Sequence, residues 1–456
     1  MKILFINAID PTKPLQTSSP PLGIGHMISS LRERFGEDTI EFKVVNGGLR
    51  AAIEEFGPDI IGISSVSQNF NLAIAYAQIA KAYGIPVICG GVHISMMPSS
   101  LTDDMDVGVI GEGEKTIYDL VQAFILDGGV FAPETLQFIP GIIYHDNGRL
   151  VSTGKRRPVE CLDSLPPPAR EFFPIKQSTY MFTSRGCPFQ CTFCSSTRFW
   201  EGVRLFSPTY IATEIQRLVE QGVNDISFYD DIFPLNADRI RGLISALRNR
   251  GLLGKVDFHC SIRANMVTDE IISLLRDMGV KSMGLGLESG CWRTLRFLKG
   301  DGISIQDNAY AIKTIRRYGI KVYGSFIIGS PDETKRNALE TLRFVKDHRL
   351  PSSLYLLTPF PGTPIWDYAL SKGLVSEDMD WSRLDVEYSG QDYAVILSER
   401  MTKRQLDSLF YWFERSQVKI KRGAALNSLV KTGLHHPSRI PGYVGRRIIR
   451  GVGGVR

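Results

Sequence analysis

The chain has no apolar run approaching the roughly 18–20 residues a membrane helix needs, so no integral membrane segment is expected. The opening MKILFINAID stays apolar only as far as Asp10, and no small-residue cleavage site follows. It reads as a buried first strand rather than a signal peptide. Tandem repeats and low-complexity tracts are also missing, and a composition 43% hydrophobic and 22% charged excludes disorder. There is no disulfide framework: the seven cysteines are odd in number, and three of them crowd into eight residues. A reducing cytoplasm and a metal site fit that distribution. Acidic residues are scarce at the end of the chain, where Asp407 and Glu414 alone accompany twelve Lys/Arg over 401–456. The net charge of +5 therefore belongs to this tail, and the rest of the chain is net negative. The tail reads as a solvated helix and a frayed end, so nucleic acid is not an expected partner. Carrying no motif, residues beyond Arg400 are expected to be dispensable for chemistry.

What is present is a long alternation of strands and helices. A length of 456 residues suggests two to four domains. Candidate strands in the first part are Lys2–Asn7, Glu41–Val45, Asp59–Ser64, Val87–Cys89 and Val107–Gly111. Helical patterns at Gly23–Arg34, Asn71–Tyr83 and Glu114–Leu126 separate or follow them. This is the pattern of a doubly wound parallel sheet of the flavodoxin-like size class, which binds ligands beyond the carboxyl ends of its strands.

Residues 1–140 are read as this first domain and 141–178 as a linker. The linker holds a hairpin turn signal, His145-Asp146-Asn147-Gly148, and the stiff run Pro166-Pro167-Pro168. A second alternation fills 179–365, with strands at Tyr180–Thr183, Asp225–Tyr229, Lys255–Ser261, Ser282–Leu287, Lys321–Ile328 and Ser353–Thr358. Ser207-Pro208 and Thr268-Asp269-Glu270 open two of its helices. Six strands are too few for a closed eight-fold barrel, so a partial (β/α)6 barrel is expected. Residues 366–456 are read as a small, basic, helical C-terminal region.

The chemistry concentrates after the first barrel strand, in Thr183-Ser184-Arg185-Gly186-Cys187-Pro188-Phe189-Gln190-Cys191-Thr192-Phe193-Cys194. Three cysteines at this spacing can wrap a metal centre within one loop. A closed structural zinc site wants four ligands, and no histidine or further cysteine lies between Cys194 and His259. A [4Fe–4S] cluster normally takes four thiolates, so three leave one iron open.

Cys187-x3-Cys191-x2-Cys194, with Phe193 before the last cysteine, resembles the radical S-adenosylmethionine (SAM) enzymes. The resemblance implies that Cys187, Cys191 and Cys194 hold a [4Fe–4S] cluster whose open iron chelates SAM. The reduced cluster then cleaves SAM to a 5′-deoxyadenosyl radical. It also implies SAM contacts from Phe193, and from Asp230 and Asp231 after the second strand. Arg263 after the third strand, Glu288 after the fourth and Gly329 after the fifth complete the set. Carboxylates suit the SAM ammonium or ribose, Arg263 its carboxylate, and Gly329 a close approach of backbone to adenine.

The first domain resembles cobalamin-binding domains, and residues 1–365 as a whole resemble the cobalamin-binding branch of radical SAM proteins. The likeness rests on Pro20-Pro21-Leu22-Gly23, Ser64-Ser65, Gly90-Gly91-Val92-His93, Gly111-Glu112-Gly113-Glu114, Leu165-Pro166 and Thr358-Pro359-Phe360-Pro361-Gly362-Thr363-Pro364. It implies cobalamin contacts from Ser64, Ser65, Ser67, Gly90, Gly91, His93, Gly111, Glu112 and Gly113. His93 is read as a hydrogen-bonding residue rather than a cobalt ligand. One departure stands out: the loop Ala8–Pro20 has no histidine, so the Asp-x-His-x-x-Gly motif is absent and no axial histidine is expected. Cys161, Cys260 and Cys291 are read as buried thiols, and Trp292, Trp366 and Trp381 as packing residues.

The expected activity is cobalamin-dependent methyl transfer to an unactivated carbon or phosphorus centre of a small, natural-product-like molecule. An external electron donor, flavodoxin or ferredoxin, is expected. The alternatives are a non-methylating radical reaction such as ring formation, as in the anaerobic magnesium-protoporphyrin cyclase, and an iron–sulfur or cobalamin binding protein without catalysis.

Overall fold

A computed structural model describes residues 1–388 and 390–435, with Pro14, Leu15 and 423–435 described by backbone alone. The end of the basic tail, 436–456, lies outside the described residues. The first sheet is built from β1 (Lys2–Ala8), β2 (Glu41–Val45), β3 (Ile60–Ser65), β4 (Val87–Gly90) and β5 (Val107–Val109), with β6 (Ile142–Asp146) and β7 (Arg149–Ser152) at its edge. Its order is β2-β1-β3-β4-β5-β6-β7. The first five strands are parallel, in the flavodoxin-like order that reverses between β1 and β3.

Near-continuous apolar strands follow from burial on both faces. Ile3 and Phe5 of β1 point into a core with Ile24, Ile28 and Leu31 of the helix Leu22–Phe35. Leu4 and Ile6 point the other way, toward Phe70, Ala73 and Ala77 of the helix Phe70–Ala82. Expected as part of the linker, the hairpin β6–β7 instead pairs antiparallel with β5, Val107 opposite Tyr144. Its turn is as expected, with Asn147 at φ +47° and Gly148 at φ +75°. The reason is burial: Ile142, Ile143 and Tyr144 complete the two apolar faces that β5 leaves open.

The second sheet contains β8 (Ser178–Met181) and, after the short pair β9 (Ser184–Arg185) and β10 (Arg204–Leu205), β11 (Asp225–Phe228), β12 (Asp257–Ile262), β13 (Val280–Glu288), β14 (Lys321–Ile328) and β15 (Ser352–Leu356). Six parallel strands run in the order β15-β14-β13-β12-β11-β8 without closing, which is the expected partial barrel. Ser207 and Thr268 cap their helices, accepting from the backbone N–H groups of Tyr210 and Ile271. The outer face is apolar and covered by helices. The inner face alternates to Tyr180, Ser227, His259, Ser261, Ser282, Gly284 and Tyr323, none of them fully buried.

The C-terminal region is less separate than expected. Trp366, Trp381, Leu384, Val395 and Leu397 join the core beneath the first sheet. The helix Lys403–His435 then packs Leu406, Leu409 and Phe410 against Ile328, Ala338 and Leu356 of the barrel. Beyond Arg400, Met401, Leu406, Leu409 and Phe410 are thus part of the fold. Trp292 is also not a packing residue, being 60% exposed, and Cys161 is exposed rather than buried. Among the described residues no helix is long and apolar enough to cross a membrane.

Candidate active site

The cysteine loop leaves the barrel after β8 and is held on several sides by backbone hydrogen bonds. Asp230, just beyond β11, accepts from the N–H of Thr183 at 2.6 Å, from the N–H of Ser184 at 3.2 Å, and from the Thr183 hydroxyl. Asp231 accepts from the N–H of Gly186 at 3.2 Å. Further along, the Thr192 N–H donates to the Leu298 carbonyl at 2.9 Å. Gly186 is required: at φ +90°, a Cβ there would lie 2.1 Å from the Gly202 carbonyl oxygen. Cys187, Cys191 and Cys194 are free and partly buried. Burial pushes the Cys187 thiol up, and that of Cys194 up to about 11. A bound metal would overcome this burial and hold its coordinating thiols as thiolates. Among the described residues no three His, Cys, Asp or Glu side chains gather closely enough for one metal ion. Three thiols on one loop, with no histidine or further cysteine between Cys194 and His259, are the donor set of a cluster that leaves one iron open.

The expected SAM contacts divide. Arg263 lies beside the loop, with Nη1 3.4 Å from Cys191 Sγ and its guanidinium 4.2 Å from the centre of the Phe189 ring. Its Nη2 donates to the Lys299 carbonyl at 3.1 Å. Lys299 Nζ in turn stands 3.3 Å from Glu288 Oε1. Glu288 adopts φ +58°, a left-handed conformation uncommon for a residue with a side chain, and burial raises its carboxyl despite Lys299. These three residues converge near the loop. Asp230 differs from expectation: it is buried, and the loop's own N–H and hydroxyl groups occupy its oxygens. It braces the loop and presents no free edge to a ligand. Asp231 remains exposed, and Phe193 packs partly against the core of the first sheet. Gly329, at φ +94°, is explained by packing, since a Cβ there would meet Leu356 Cδ1 at 2.8 Å.

Glu333 anchors that glycine, accepting from the Gly329 N–H through Oε2 at 2.7 Å, while its buried Oε1 has no partner. Burial raises its carboxyl to about 7. An acid whose folded pKa lies above its unfolded value destabilises the fold as pH rises between the two, here from about 4.5 to about 7. Glu333→Gln cannot ionise and keeps an oxygen for Gly329. It is expected to raise the thermal midpoint at pH 8 by roughly a few degrees and to leave it nearly unchanged at pH 4.5, which paired melting curves would check.

Beyond the carboxyl ends of β3, β4 and β5 lies a mostly apolar cavity of about 270 Å³. Ser64, Gly90, Gly91, Gly111, Glu112 and Gly113 line it, six of the nine residues expected to touch cobalamin. A Cβ on Gly111 would meet nothing within 4 Å, whereas one on Gly91 would strike the Ser65 carbonyl oxygen at 2.4 Å. Ser65, Ser67 and His93 do not form its wall. Ser65 is buried with its hydroxyl on the Val66 carbonyl, and Ser67 begins a buried turn. His93 is fully buried elsewhere, with ring centres 3.9 Å from Phe70 and 4.3 Å from Trp381, and Nε2 3.0 Å from the Ser100 hydroxyl. Burial holds it neutral, with its pKa near 3. It is a core histidine, turned from the cavity by its place on the short helix Val92–Met96.

Other lining residues were not expected. Gly23, His26 and Met27 come from the first long helix at i, i+3 and i+4, a helical face visible in the sequence. The opposite wall is supplied by the barrel: Phe182, Arg185, Phe199, Trp200 and Phe206 flank the cysteine loop on both sides. The first-sheet cavity and the cysteine loop therefore share a wall.

Residues 181–345 match the radical SAM superfamily, and residues 14–121 match the B12 binding domain. The chain is 30% identical over 449 residues to an uncharacterized methyltransferase of Pyrococcus horikoshii, covering 92% of this chain and 94% of that protein. It is 26% identical to an anaerobic magnesium-protoporphyrin IX monomethyl ester cyclase of Cereibacter sphaeroides, covering 80% of this chain and 63% of the cyclase. The fold resembles the radical S-adenosylmethionine methyltransferase TsrM of Kitasatospora setae, with a TM-score of 0.65 at 17% identity over 81% of this chain and 75% of that one. It also resembles the cobalamin-dependent S-adenosylmethionine radical enzyme OxsB, with a TM-score of 0.63 at 18% identity over 91% and 61% of the two chains.

Proposed function

The chain belongs to the radical SAM superfamily, in the branch that carries a B12 binding domain, and from this we propose that it is a cobalamin-dependent methyltransferase acting on a small molecule. Its cofactors are a [4Fe–4S] cluster, SAM and cobalamin, which together supply a methyl group and a carbon radical. The observation that carries the reading is the shared wall, because methyl transfer to a substrate radical requires both cofactors to face one substrate.

The chain's own residues then take these roles. Cys187, Cys191 and Cys194 would hold the cluster, and Asp230 fixes their loop through the N–H groups of Thr183 and Ser184. Arg263, Lys299 and Glu288 form a charged group beside Cys191 that suits the carboxylate and ammonium of SAM. Asp231, still exposed, is open to a further contact. Gly90, Gly91, Gly111 and Gly113 let backbone line the corrinoid site, and the apolar wall of Phe182, Phe199, Trp200 and Phe206 excludes water. The hard chemistry belongs to the cofactors, and positioning belongs to the protein. Reduction comes from an external flavodoxin or ferredoxin.

The test is product analysis after anaerobic reconstitution with cluster, hydroxocobalamin, SAM and a low-potential reductant. Methyl transfer predicts both 5′-deoxyadenosine and S-adenosylhomocysteine. Release of 5′-deoxyadenosine alone, with no S-adenosylhomocysteine at any corrinoid concentration, would transfer the assignment to a non-methylating reaction such as the cyclase type.

A further inference from the structure

Arg185 stands two residues before Cys187 and is almost wholly buried, yet its charge is matched by the other half of the molecule. Its guanidinium meets two carboxylates beyond β5: Glu112 of the loop at 3.2 Å, and Glu114, the first residue of the helix Glu114–Leu126, in a close ion pair. Glu112 also binds Arg204 of β10, the strand that pairs with β9 and hence with Arg185 itself. The Arg185 guanidinium lies 5.3 Å from the centre of the Trp200 ring, another residue of the cavity wall. Arg185, Glu112 and Glu114 all line the cavity. One side chain thus belongs at once to the cysteine loop and to the wall of the first-sheet site.

We propose that Arg185 is a positioning residue coupling the two cofactor sites: order in the cysteine loop is passed through Arg185 to Glu112 and Glu114, and tightens the cavity for a corrinoid. The inference rests on the cofactor assignment of the preceding subsection and adds a dependence between the sites. Filling the cysteine loop adds a restraint at Cys187, two residues beyond Arg185, to those that Asp230 and Asp231 already place on Ser184 and Gly186. A fixed guanidinium then fixes Gly111–Glu114, which line the cavity. By linkage, corrinoid binding strengthens cluster retention by the same factor. Lysine cannot substitute, since a single ammonium lacks the planar fork that meets two carboxylates.

The experiment measures the affinity of the full-length protein for hydroxocobalamin, by its visible absorbance, with the cluster reconstituted and with iron removed. Native protein is expected to bind at least about fivefold more tightly when the cluster is present. In R185K and R185M the ratio should fall to within twofold. Because R185M leaves buried carboxylates unpaired and can lose stability, R185M/E114Q is measured beside it; there Glu112 retains Arg204 as its counter-charge. A merely structural role would weaken both affinities together and keep the ratio, which overturns the proposal. So does a native ratio of one. Failure of every form to bind hydroxocobalamin would instead remove the cofactor assignment beneath it.

Discussion

Replacing Cys191 with alanine is expected to reduce 5′-deoxyadenosine formation to the background of iron-free protein, while Cys161→Ala leaves it unchanged. Cys191 Sγ lies 3.4 Å from Arg263, at the point where the charged group of Arg263, Lys299 and Glu288 meets the loop. Cys161 is exposed and sits in the connector between the sheets. The loop should survive the substitution, because it is anchored by Asp230, Asp231 and Leu298 rather than by its thiols. Loss of activity can therefore be assigned to the metal and not to unfolding. Iron content, circular dichroism and product analysis on the same preparation separate the two. Undiminished 5′-deoxyadenosine from Cys191→Ala would end the radical SAM reading.

That loop was legible because three cysteines in eight residues leave few alternatives. The acids around it were harder to read. Asp230, Asp231 and Glu112 stand after strands, where ligand contacts and backbone braces look alike in sequence. Which one an acid becomes depends on donors far along the chain: Asp230 is claimed by Thr183 and Ser184, and Glu112 by Arg204 and the Val159 N–H. A turn that crosses a sheet end without regular structure leaves N–H groups unpaired, and buried acids are their natural acceptors. His93 lies outside the cavity wall for a related reason, since proximity to Gly90-Gly91 does not fix the direction of a side chain two residues on. The barrel and first sheet were readable to within a few residues, because strands buried on both faces, or alternating on one, leave a direct signature. The hairpin was legible as a hairpin, but its partner was not. Pairing with β5 depends on an open sheet edge that only the assembled domain displays.

Cutting the chain after Arg400 is expected to abolish cooperative folding, whereas cutting after Arg422 should leave a soluble protein that still cleaves SAM. The charge of the C-terminal region suggested a solvated appendage, but its first turns carry Leu406, Leu409, Phe410 and Phe413 at i, i+3, i+4 and i+7. All four are buried, Leu406 and Leu409 completely. Fully burying each such side chain stabilises by about 1.5–3 kcal/mol, so the group approaches the roughly 5–15 kcal/mol by which a whole domain is stable. Polar contacts add to the loss. Gln417 accepts from the Ser352 N–H at 3.0 Å and donates to the Leu350 carbonyl at 3.3 Å, satisfying the edge strand β15. Without that helix, Ile328 and Leu356 would be uncovered at the carboxyl ends of β14 and β15, where Gly329 and Glu333 are held. Arg404, Arg415, Lys419, Lys421 and Arg422 are exposed on the same helix, which is why a count of charge concealed its apolar stripe. Thermal unfolding of the two truncated proteins, read beside 5′-deoxyadenosine formation, decides the matter. A cooperative transition with native SAM cleavage in the shorter form would show that the barrel closes its own edge without the helix.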